Sequence, residues 1–144
     1  MQNFPHHYRV TATGAVEGNV TVASADLPSL QTASPPEFDG PHGLWSPETL
    51  LTAAVADCFI LTFRAVAHAS KLEWNQIECK ASGVLDRIEG VTRFTEMHIA
   101  VKLHLPAGSD AERAQRVVEK SEQACLITNS LNAKIVLEVE VVVG

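Results

Sequence analysis

The sequence is short of cysteine: only Cys58, Cys79 and Cys125 occur in 144 residues. An odd, small number of thiols in a chain long enough to fold without staples argues against a secreted disulfide framework and for reduced, reactive thiols in the cytoplasm. Basic residues are also scarce. Eleven Lys and Arg stand against seventeen Asp and Glu, for a net charge of -6, with the two signs mixed along the chain. No basic stripe is present to bind nucleic acid or an anionic membrane surface. The amino terminus, Met1 to Val10, lacks the charged segment and apolar run of an export signal. The most apolar stretch, Leu50 to Ala69, is interrupted by Asp57 and Arg64, which are costly at bilayer depth, so it reads as a buried helix and no membrane partner is expected. No low-complexity segment or composition break divides the chain, and residues 1–144 are expected to form a single domain. A hydrophobic content of 46% supplies its core.

The chain opens with two β-branched, alternating stretches, Tyr8 to Thr13 and Asn19 to Ala25, joined by a hairpin connection at Gly14 to Gly18. From Asp26 to Trp45, four prolines and two glycines exclude a helix or central strand, leaving a long loop that is functional or carries a short edge strand. Ser46, Pro47 and Glu48 supply a hydroxyl cap, a proline where no amide is needed and a carboxylate at the positive helix end. The helix they start runs to about Ser70. At 100° per residue Asp57, Arg64, His68 and Lys71 share a stripe roughly 60° wide, and the remaining faces are so apolar that the helix is expected to be central and buried nearly all round. Cys58 lies about 100° from that stripe, among Leu51, Ala54, Thr62 and Ala65.

Alternation returns over Asn75 to Leu85 and Phe94 to Leu105, a pair expected to turn at Glu89 and Gly90. A second helix is expected from Ser109, capped with Glu112 and bringing Ala114, Val118, Ser121 and Cys125 to one side. The last strand spans Ala133 to Val143. The order predicts an α+β fold with strands clustered around a long central helix.

Cys79 alternates in phase with core residues and reads as structural. Cys58 is more suggestive, because ionisable Glu48, Asp57 and Arg64 lie on or near the same apolar helix and buried charges need partners or a function. Cys125, at the end of another amphipathic helix, could meet it across a packing contact. Of the six histidines, His98 and His104 share a strand face about 20 Å apart, too far to chelate one ion. No Cys/His pair has zinc-site spacing and no phosphate-cradling glycine loop is present, so no metal or other cofactor is expected.

Two segments resemble a known family. S-P-E-T-L-L-T-A-A-V-A-D-C-F, Ser46 to Phe59, is similar to the start of the central helix of osmotically inducible and organic hydroperoxide resistance (OsmC/Ohr) proteins, and C-L-I-T-N-S-L, Cys125 to Leu131, to their carboxy-terminal cysteine motif. Both motifs, the early hairpin and the element order are collinear over nearly the whole chain. The resemblance implies an intertwined homodimer with sites at the subunit interface. Cys58 would attack an organic hydroperoxide, Cys125 would resolve it as a disulfide, and Glu48 would orient an activating arginine. Asp57, Phe59 and Arg64 are the expected substrate-binding neighbours. An external dithiol, with lipoyl-bearing proteins the precedent, would regenerate the thiols.

The sequence departs from that family at two points. Its hairpin reads T-G-A-V-E-G, Thr13 to Gly18, so Val16 stands where the family has its arginine, and Asp26 to Trp45 holds none either. Arg9, Arg64 and Arg93 are the candidates to replace it. Without a cationic neighbour the Cys58 thiol is expected to rise and attack more slowly. Leu126 replaces the proline that commonly follows the second cysteine. The second reading consistent with these departures is a dimer of the same fold that binds an apolar small molecule at its interface without turnover.

Overall fold

The computed structural model describes residues 1–144 and divides into two compact units, Met1–Leu50 and Leu51–Gly144. In the first, β1 (Thr11–Thr13), β2 (Val20–Ala23) and β3 (Leu30–Thr32) form an antiparallel sheet in that order. The Pro/Gly loop thus does carry a short edge strand, followed by a 3-10 turn at Pro36–Phe38. The cap of helix α1 (Pro47–Ala69) belongs to this unit as well. The Thr49 amide donates to Ser46 Oγ at 3.1 Å and the Ser46 amide to Thr49 Oγ1 at 2.8 Å, a reciprocal capping box with threonine in the usual Glu position.

The second unit holds the larger sheet. β4 (Gln76–Ile88) and β5 (Val91–Leu105) pair antiparallel, turning at Glu89 and Gly90, both with positive φ (51° and 80°), the backbone of a two-residue hairpin. A bulge between Val84 and Leu85 shifts the register, which is why Leu85 leaves the inward face that Ile77, Cys79 and Ala81 share. β6 (Lys134–Val143) runs parallel to β5, and parallel neighbours require a crossover. That crossover is α2 (Ala111–Ala124) followed by the single turn α3 (Leu126–Asn129). Asp110, not Ser109, caps α2, its carboxylate accepting from the Arg113 amide at 3.1 Å. The Ser109 hydroxyl is already committed to the Pro106 carbonyl, at 2.7 Å.

The core collects Met97, Ile99, Val101, Leu103 and Leu105 from β5 with Ala114, Val117 and Val118 from α2. From α1 it takes one stripe, Val55, Phe59, Phe63 and Ala67, spaced four apart. Here the expectation of a helix buried nearly all round fails. Leu61 is 52% exposed and Ala65 is open as well, so an apolar flank of α1 remains uncovered in the single chain.

Candidate active site

Cys58 sits on α1 at the edge of its buried stripe, neither in the core nor on the charged face. One turn on, Thr62 Oγ1 lies 3.8 Å from Cys58 Sγ, the neighbour relation that i and i+4 impose on a helix. Cys125 approaches from the crossover. It is fully buried and breaks the helical path: its backbone is extended (φ -67°, ψ 110°), ending α2 and starting α3 at one residue. The first amides of a helix have no intrahelical acceptor, so Leu126 and Ile127 have theirs free to donate elsewhere. Both amides act on the Cys58 thiol in the direction that lowers it.

The two thiols are driven in opposite directions. Burial alone would push Cys58 up, but hydrogen bonds from the Ile127 amide, the Cys125 thiol, the Thr62 hydroxyl and the Leu126 amide outweigh it, and the thiol lies below its ordinary value. Cys125 lies above its ordinary value, first through burial and further because its proton is held by Cys58, against opposing bonds from Thr128. Even without an arginine beside it, the Cys58 thiol thus lies below the value of a free cysteine. Neutral donors, two of them backbone amides, oppose the burial and bring the thiol down. A pair tuned this way sets the more readily ionised thiol beside one that keeps its proton more firmly, the arrangement suited to attack on an electrophilic oxygen followed by condensation.

Residues 40–140 match the family model described as OsmC-like protein. The chain belongs to the OsmC-like family. Among its relatives, the organic hydroperoxide resistance protein of Xanthomonas axonopodis pv. citri is 32% identical over 128 residues, covering 87% of this chain and 86% of that protein. The protein named peroxiredoxin OsmC of Escherichia coli is 25% identical over 122 residues, covering 85% and 84%. A solved OsmC-like protein of unknown function from Vibrio cholerae shares the fold, with a TM-score of 0.86 at 16% identity over 94% of this chain and 100% of that one.

The other residues expected in this OsmC-like site are placed variously. Glu48 occupies the first turn of α1, half-buried, in residues 1–50. Phe59 has no exposed surface and is a core packing residue. Asp57 and Arg64 are exposed on α1, and neither is among the groups acting on the Cys58 thiol. Arg93 is engaged elsewhere, donating to the Phe94 and Asn132 carbonyls. Cys79 faces the core from β4, as its alternation implied. The donors that sequence reasoning missed divide into two kinds. Thr62 was legible from its i+4 spacing to Cys58. The Leu126 and Ile127 amides were not, because a backbone donor leaves no mark in residue identity.

Proposed function

We propose that this chain is a thiol peroxidase that reduces organic hydroperoxides through a Cys58/Cys125 dithiol–disulfide cycle. The observation that carries this reading is a thiol held below its ordinary value in hydrogen-bonding reach of a second, buried, protonated thiol. The Cys58 thiolate attacks the terminal oxygen of ROOH. The O–O bond breaks, an S–O bond forms, and the alkoxide leaves with a proton as ROH, giving Cys58–SOH. The Cys125 thiol then displaces hydroxide, which departs as water, and the S–S bond forms. An external dithiol returns both cysteines to the reduced state by two exchange steps, itself becoming a disulfide. No metal or organic cofactor enters this cycle.

The working form we assign is a cytoplasmic homodimer. The uncovered apolar flank of α1, with Leu61 52% exposed, supports a second copy there. Phe59 supports the site only by packing, whereas Asp57 and Arg64 remain candidates for the rim that meets substrate.

The test is a free-thiol count on the reduced protein before and after one equivalent of cumene hydroperoxide. The parent is expected to lose two thiols. Cys58→Ser should lose none, and Cys125→Ser should lose one, stopping at a sulfenic acid that dimedone traps. Three untouched thiols in the parent would overturn the peroxidase and leave the apolar-ligand dimer as the reading to pursue.

A further inference from the structure

A threonine hydroxyl inside a helix often bonds back to the carbonyl three or four residues earlier. Thr62 departs from this habit: its hydroxyl meets the side chain of Cys58, 3.8 Å away, rather than the Cys58 carbonyl. Across the site, the break at Cys125 makes Leu126 the first residue of α3, so its amide has no intrahelical acceptor, and that amide acts to lower the same thiol. Both groups are neutral donors, and they reach the sulfur from different elements, α1 and the crossover.

We propose that Thr62 and the Leu126 amide are positioning groups for Cys58, donors that orient its sulfur and carry its negative charge in place of a cation. The inference deepens the peroxidase reading and rests on it only for the purpose the thiolate serves. Thr62 matters through its hydroxyl, so serine preserves the function and isosteric valine removes it. At position 126 the side chain is immaterial and the N–H is what counts, so proline is the deleting substitution. The backbone accepts it, because Cys125 already has the extended conformation that precedes proline and position 126 begins a helix.

Within residues 51–144 the titratable group facing Cys58 is Cys125, and Cys79 in turn couples to Cys125. The measurement is therefore made in Cys79→Ser/Cys125→Ser protein, where Cys58 is the only thiol. Thiolate absorbance near 240 nm is followed against pH, alongside the rate of iodoacetamide alkylation at pH 7. Thr62→Val and Leu126→Pro should each move the ionisation midpoint upward and slow alkylation at least about threefold, while Thr62→Ser leaves the midpoint in place. A midpoint unmoved by either deletion, in variants whose circular dichroism matches the parent, overturns the inference. Raising the salt should scarcely move the parent midpoint, since dipoles rather than a screened ion pair hold the charge. A large salt-dependent rise would instead show that a cation does so, and would overturn the proposal. The two readings fail separately. A parent that ionises as described but consumes no hydroperoxide removes the peroxidase alone, and a parent that turns over with unmoved variant midpoints removes the role of these donors alone.

Discussion

Cys79 shows how far one thiol can be set by its surroundings. It faces the core from β4, opposite Val101, and burial pushes it up to about 11 from an ordinary 9.0, with the neighbouring Cys125 adding to the rise. Below pH 9 the thiol is protonated in both the folded and unfolded chain, so its contribution is fully present. Between pH 9 and 11 the unfolded chain releases the proton while the folded one keeps it, and stability falls. Replacing Cys79 with valine removes this pH dependence. The difference in unfolding free energy between pH 8 and pH 10.5 should shrink by on the order of 1 kcal/mol, discounted for the solvent that still reaches the side chain. Urea unfolding of parent and variant at the two pH values measures it, and equal pH dependence would refute the burial argument. The same residue was the easiest to read in the sequence, since alternation placed it inward. Cys58 was harder, because its ionisation depends on donors from Cys125, Leu126 and Ile127, far along the chain and in part on the backbone.

At the scale of elements, legibility followed how local the deciding interaction is. The hairpin at Glu89 and Gly90 and the start of α1 at Ser46 were readable because each is settled within four residues. The start of α2 was misplaced by one residue, since the choice between Ser109 and Asp110 turned on the Pro106 carbonyl. The burial of α1 was misjudged for a different reason: an apolar face in a sequence does not reveal whether its own chain or another molecule covers it. Gly40 illustrates a local constraint that composition alone understates. A Cβ there would lie 1.8 Å from the Ser34 carbonyl oxygen and 2.9 Å from that of Pro35, which also accepts the Gly40 amide. Both are backbone atoms, so nothing can swing aside. Gly40→Ala should cost about 3 kcal/mol, whereas Gly14→Ala, which meets only a Val20 methyl at 3.4 Å, should stay within about 0.5 kcal/mol. Urea midpoints of the two variants provide the comparison, and similar losses would mean that the loop yields as a whole.

For the whole molecule the open question is what covers the apolar flank of α1. By length and composition this helix of 23 residues could cross a membrane. Three features weigh against a bilayer. Its Val55, Phe59, Phe63 and Ala67 are built into the core beside Met97 and Leu103, so withdrawing it into lipid would dismantle that core. Asp57 and Arg64 would each cost about 3 kcal/mol at mid-depth. The uncovered apolar surface is a flank beside Cys58, not the full circumference that lipid would demand. A second copy of the chain meets the same flank at no such cost, provided it covers roughly 800 Å² per partner. The protein should therefore sediment without detergent at twice the 15.5 kDa chain mass, about 31 kDa. Leu61→Lys places a charge on the flank without touching the core stripe, and should shift the boundary toward the monomer mass while leaving the far-ultraviolet spectrum unchanged. A parent that sediments as a monomer would remove the second copy from that flank, and a Leu61→Lys protein that stays dimeric would place the interface elsewhere on the chain.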